Sequence, residues 1–180
     1  MSARAASLEE RADALRREFD DSFSGPPSAA EADRVELLMI RVGPDPHAIR
    51  IAEIAGLHAD RRVVRVPGPL PELLGVVNLR GAIVPVYDLR LLLGYPAGPP
   101  PRWMVVASAA PVGLAFDQLD GHAVGSSETI AAGPECSPGR SHVREVAARA
   151  DGTSAMVIDL PSVVHEIRAR AGHPRPSKER

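Results

Sequence analysis

Apolar positions along the first part of the chain recur every three or four residues, at Leu8, Ala12, Leu15, Phe19 and Phe23. That spacing predicts one helix over 8–23 with a single apolar stripe. Ser7 and Glu10 form a capping-box pattern at its start, and Gly25-Pro26-Pro27 ends it. From residue 35 the period shortens. Val35–Val42, His47–Ile51, Arg61–Val66, Leu73–Leu79 and Ala82–Tyr87 read as strands, as do Trp103–Ala107, Val112–Phe116, Asp120–Val124, Val143–Ala150 and Ala155–Ile158. Gly43-Pro44-Asp45-Pro46, Arg80-Gly81 and Asp151-Gly152 supply turns between neighbouring strands. Asp88 caps a short helix that stops near Gly94, and Pro161–Ala169 predicts a closing helix with proline in its first turn. About ten short strands with few helices point to a mainly β barrel or sandwich architecture.

Composition adds a domain plan. Proline and glycine fill 96–101 and divide the predicted strands into two nearly equal sets, which suggests two small barrels packed together with a subdomain boundary near 95–101. Residues 1–34 form an N-terminal helix and linker, 35–170 the β domain, and 171–180 a basic tail without an apolar face. The helix carries an acidic excess, so its stripe either packs on its own domain or docks a partner, in preference to lying on a membrane.

Charge and composition then exclude several classes of function. The 180 residues have a formal net charge of −2, which provides no electrostatic footprint for nucleic acid. Six aromatic rings, two of them in the first helix, leave little for a base-stacking platform and require an aliphatic core. Trp103 and Tyr87 are the rings to expect in that core. A lone cysteine, Cys136, excludes an internal disulfide and a Cys-based zinc site. With no long apolar run and no secretion signal, the expectation is a soluble, cytoplasmic protein without direct membrane insertion.

Catalytic patterns are missing. The histidines at 47, 58, 122, 142, 165 and 173 have no helical metal-ligand spacing, so no metal or cofactor is expected. Asp117 and Asp120 read as solvated turn acids, Ser126-Ser127 lacks a nucleophile elbow, and Cys136 with His142 lacks a local signature. There is no phosphate-cradling loop. The chain reads as a binding protein, not an enzyme.

One segment stands apart: LLGVVNLRGAIVPVYDLRLLLG, in which Asn78, Arg80, Asp88 and Arg90 are the strongly polar side chains of an otherwise apolar double strand. An arginine at such a turn either pairs with a carboxylate or faces a partner. Asp88 and Arg90 read as a helix cap and a satisfied ion pair.

GVVNLRGAIVPVYDLR resembles the signature of the CheW family, adapter proteins of bacterial chemosensory arrays. VELLMIRVG with HAIRI, VGLAFDQLDGHAVGSSETI (including Asp120 and Gly121) and SAMVIDLPSVV extend the likeness over about 35–168. The resemblance implies two SH3-like five-stranded barrels. It implies a non-enzymatic scaffold that couples the cytoplasmic tips of methyl-accepting chemoreceptors to the regulatory domain of a CheA-type histidine kinase, recruited to receptor arrays. It places Gly75, Val77, Asn78, Arg80 and Gly81 near the partner surface, with Pro85, Asp88 and Arg90 as structural members of the motif. The sequence departs from the family at Gly56, where a glutamate that pairs with the motif arginine is usual, and at His47, where an aromatic residue is common. Glu53 is the substitute partner to consider for Arg80. These departures, with the added helix and its Leu8, Leu15, Phe19 and Phe23, also allow a divergent member that binds only the receptor or only the kinase.

Overall fold

The computed structural model describes residues 34–68, 70–126, 130–132, 142–148 and 152–172. The chain divides into two units, Met1–Arg34 and Val35–Arg180, and the described residues after Arg34 belong to the second. The predicted helix over 8–23 and the basic tail from 173 onward lie outside the described residues.

Eleven strands occur among the described residues: β1 (Arg34–Val42), β2 (Asp45–Arg50), β3 (Ile54–Ala59), β4 (Leu73–Leu79), β5 (Ala82–Asp88), β6 (Trp103–Ala107), β7 (Gly113–Phe116), β8 (Gln118–Ser126), β9 (Ile130–Ala132), β10 (Val143–Ala148) and β11 (Ser154–Ile158). A 3-10 turn (Ile51–Glu53) precedes β3, and the helices are α1 (Leu89–Leu92) and α2 (Leu160–Ala171). They form a six-stranded sheet ordered β8-β1-β2-β11-β10-β9 and a five-stranded sheet ordered β3-β6-β7-β5-β4. Antiparallel pairs dominate; β2 with β11 and β5 with β7 are parallel.

This topology corrects the expected division at 95–101. β6 and β7, which follow that segment, join β3, β4 and β5 in one sheet, while β1 and β2 join β8–β11 in the other. The proline-rich segment is a connection between members of one sheet, so the strands are not sorted by it. Two further expectations change. Arg61–Val66 is not a strand; of it, only Val64 pairs, in an isolated bridge to Val76. The strand in that region is β3, whose small residues Ala55 and Gly56 hide its periodicity. β9 is a further strand, between the predicted strands Asp120–Val124 and Val143–Ala150.

The core follows from strands that are buried on both faces. Along β1, Leu38, Ile40 and Val42 enter the central cluster while Leu37 and Met39 enter a second one. Along β6, Val105 and Ala107 enter the central cluster and Met104 and Val106 a third, with Val77, Val84 and Val86. Such strands read as continuous apolar runs instead of alternation. Both sheets and α2 build the central cluster. From α2, Leu160, Val163, Val164 and Ile167 are fully buried, each contributing about 1.5–3 kcal/mol relative to exposure. Phe116 is completely enclosed and Tyr87 nearly so, while Trp103 and Tyr95 pack at the edge.

Caps and ion pairs fix the ends. The Asp159 carboxylate accepts from the Ser162 amide at 3.0 Å and caps α2, with Pro161 in the first turn. Glu53 accepts the Leu160 amide at 3.0 Å, tying the start of β3 to the start of α2. At the far end of α2, Arg170 reaches Glu72 at 2.8 Å. Burial raises the Glu53 pKa above the ordinary glutamate value, against the opposing bond to Leu160 and the charge of Arg50.

Two outcomes test these assignments. Gly75 has φ +144°, and a Cβ there would collide with the Val64 carbonyl oxygen, whereas a Cβ on Gly81, at φ +89°, meets open space. Gly75→Ala is therefore expected to lose more stability in urea unfolding than Gly81→Ala, which carries only the left-handed penalty of about 1–2 kcal/mol. Because the folded Glu53 pKa is raised, the fold binds its proton more tightly than the unfolded chain does. Stability from this group is greatest at low pH and falls as pH rises through the raised value. Relative to Glu53→Gln, the unmodified chain should lose stability as pH rises from the ordinary glutamate range, about pH 4, through the raised value; a constant difference would contradict this.

Candidate functional site

The β4–β5 hairpin closes with a two-residue loop, Arg80-Gly81, between the paired residues Leu79 and Ala82. Both loop residues have positive φ, +51° at Arg80 and +89° at Gly81, as the right-handed twist of a hairpin requires. The Asn78 side chain accepts from the Gly81 amide at 2.9 Å and braces the loop. Glycine carries positive φ without penalty, whereas arginine at Arg80 costs about 1–2 kcal/mol. Local strain at an exposed charged residue marks a position to examine for function.

Across from this loop lies β3. Between them is an open groove of ≈ 510 Å³. Ala55, Gly56, Leu57, His58 and Arg61 line one side, and Asn78, Leu79 and Arg80 the other, over Val84 and Val106. Leu57 and Ile83 are exposed apolar residues beside it, Ile83 by 64%. Arg80 has no carboxylate partner among the described residues. Glu53, the substitute considered for it, is engaged instead by the Leu160 amide and by Arg50, at 3.7 Å. Gly56 follows a register shift between β3 and β6, and a Cβ there would lie 3.2 Å from His58 Nε2. Burial lowers the His58 pKa, and the charges of Arg61 and Arg80 push it further down.

The expected partner-surface residues separate into two groups. Asn78, Arg80 and Gly81 are exposed at the hairpin tip. Gly75 and Val77 are buried: Val77 is 4% exposed inside the third cluster, and the Gly75 backbone lies against Val64 and Arg65. Their assignment to the surface is corrected, since the bulge between Leu73 and Gly75 sets which β4 residues face inward. Leu57, His58, Arg61 and Ile83 escape a sequence reading, although the HADRR run does carry a local concentration of cations.

The remaining motif residues, Pro85, Asp88 and Arg90, lie in β5 and α1. Pro85 lies opposite Val76 in the hairpin ladder. Asp88 accepts from the Arg90 amide at 2.9 Å and caps α1; burial raises its pKa, although that bond and Arg90 oppose the shift. The Arg90 guanidinium meets Asp117 at 2.5 Å, and Asp117 also accepts the Gly43 amide at 2.7 Å. Asp120 pairs with Arg41 instead, at 3.2 Å, so the two aspartates have different partners. His47 is enclosed, with Nδ1 at 3.1 Å from the Asp45 carbonyl and its ring edge-on to Tyr95. Among the described residues no group of three or more histidine, cysteine, aspartate or glutamate side chains could hold a metal ion. No described helix is long and apolar enough to cross a membrane.

Comparison with known proteins agrees with this picture. The family model described as a CheW-like domain matches residues 36–168. A probable chemotaxis protein CheW of Rhizobium etli is 29% identical over 150 residues, covering 80% of this chain and 96% of that one. A chemotaxis protein CheW of Bacillus subtilis is 34% identical over 61 residues, covering 34% of this chain and 39% of that one. The crystal structure of the scaffolding protein TtCheW from Thermoanaerobacter tengcongensis superposes with a TM-score of 0.62 at 18% identity, covering 69% of this chain and 88% of that one, which is a likeness of fold. With the matched span extending from β1 into α2 and including the whole groove, the chain belongs to the CheW-like domain family.

Proposed function

We propose that this protein is a non-enzymatic chemotaxis adapter that couples chemoreceptor cytoplasmic tips to the regulatory domain of a CheA-type histidine kinase. Membership of the CheW-like family and the chemotaxis names of its relatives support the class. One observation carries the choice of site: Arg80 is held in a strained loop at the lip of a groove, with no carboxylate partner among the described residues. A guanidinium with free donors beside exposed Leu57 and Ile83 is the composition of a protein-binding hot spot. The adapter acts by geometry: it holds two partners in one lattice, and receptor state biases the kinase through their different contacts with it.

In this reading each sheet wraps into an SH3-like barrel. The separate small clusters within each sheet support it, as does the Val64–Val76 link from the segment after β3 to the opposite edge strand. The domain spans about 35–170 and works in the cytoplasm. Residues 8–23 add a docking helix through Leu8, Leu15, Phe19 and Phe23.

The second reading, an interaction protein that engages only the receptor or only the kinase, is favoured by Gly56 and by the apolar spacing in the sequence of residues 8–23. Pull-downs with a receptor-tip fragment and, separately, with the kinase regulatory domain discriminate. Retention of both supports the adapter, retention of one supports the specialised binder, and retention of neither rejects both. Arg80→Ala is expected to weaken tip binding by about tenfold, as loss of a hot-spot arginine does, with an unchanged unfolding midpoint. Deleting residues 1–27 should remove one contact and leave the stability of 35–170 unaltered; a loss of stability alone would make the helix part of the core.

A further inference from the structure

We infer that the groove between β3 and the β4–β5 hairpin recognises an acidic side chain of a partner protein, with Arg61 and Arg80 as the residues that select it. The lining contains two arginines, one histidine and no carboxylate. Neither arginine has an internal acid among the described residues. The nearby Asp60 is taken by a two-pronged pair with Arg102, at 2.8 and 3.0 Å, and Glu53 by Leu160 and Arg50. Two uncompensated guanidinium groups therefore face one concave surface, each offering a planar fork that matches a carboxylate. The walls and floor are apolar: Leu57, Leu79, Val84 and Val106. A carboxylate entering there leaves bulk water and gains two partners, while a lysine or arginine meets like charge. Such juxtaposition of like charges is how an interface rejects wrong partners.

Gly56 contributes by what it lacks. A side chain at that position would crowd the His58 imidazole, so glycine keeps the β3 wall open. His58 is a third, conditional cation. The charges of its neighbours in the groove, Arg61 and Arg80, hold its proton off, in addition to burial. An arriving carboxylate reverses that field and favours the imidazolium, so binding of an acidic ligand draws a proton to His58.

The inference rests on the adapter reading only for who brings the acid, so its test has two arms. In the first, the isotope-labelled full chain is titrated with a short poly-glutamate peptide and, as control, with poly-lysine. Amide signals of Gly56, Gly81 and the side-chain signals of Arg61 and Arg80 are expected to shift with poly-glutamate alone, while exposed Arg34 outside the groove stays still. Affinity should increase as pH falls from about 7 to about 5.5, above the range where free glutamate protonates, and His58→Gln should remove that increase. Arg61→Gln and Arg80→Gln should each weaken binding by about tenfold at low salt and by less at high salt. The doubly reversed variant, Arg61→Glu with Arg80→Glu, should prefer poly-lysine, provided its unfolding midpoint matches that of the unmodified chain. Equal response to both peptides, or no response of the groove signals, overturns the inference.

The second arm repeats the arginine variants with the receptor-tip fragment. Tip binding that is insensitive to both substitutions overturns the inference and leaves the adapter reading intact. A groove that selects poly-glutamate in a chain that binds neither tip nor kinase domain supports the inference and removes the adapter reading.

Discussion

Two hydrogen bonds of 2.8 Å, Val64 amide to Val76 carbonyl and the reverse, determine the form of the candidate site. They bring the segment after β3 against β4, the strand at the opposite edge of the five-stranded sheet. Without them β4 would present a row of unpaired amides and carbonyls. The approach is possible because Gly75, next to Val76, has no side chain to strike the Val64 carbonyl. The five-stranded sheet packs Val77, Val84, Val86, Met104, Val106 and Ala115 into one cluster. It also has a rim, where β3 and the hairpin tip stand apart enough to leave the groove.

Burial on both faces explains how so few aromatic rings suffice. Strands such as β1, β5, β6 and β11 each supply two cores at once, so valine, isoleucine and alanine at successive positions fill three clusters. Space between the sheets is shared with α2, whose ends are fixed by Glu53 at one end and Glu72 at the other. Both acids belong to the five-stranded sheet's side of the molecule, at the starts of β3 and β4. The helix thus spans the two strands whose later residues form the walls of the groove.

Much of this was legible in the residues. The β4–β5 hairpin, the Asp88 cap, the arginine–acid pairing of Arg90 and the closing helix each rest on local chemistry, and local chemistry is written in neighbouring letters. β3 was hidden because alanine and glycine carry no strong hydrophobic signal, while RRVVRV imitates a strand that the chain does not form there. Val77 and Gly75 were placed near the partner surface by the family resemblance alone, and burial inside the sheet is a three-dimensional property that a motif does not encode. The order of strands in the sheets was beyond reach for a different reason: it depends on pairings between distant segments, and no neighbouring residues encode them. The motif pointed to Arg80, but its groove partners Leu57 and His58 lie on β3 and Arg61 lies just after it, and they became visible only in three dimensions.

The parallel pairing of β2 with β11 has a consequence for how the protein is made. His47, Ala48 and Ile49 find their partners in Met156, Val157 and Ile158, near the other end of the domain. During synthesis the N-terminal hairpin therefore waits, with part of its ladder open, until nearly all of the domain has emerged. The six-stranded sheet cannot be completed from either part of the chain alone. A shortened product would lack both this completed sheet and the contacts that α2 makes with the central cluster.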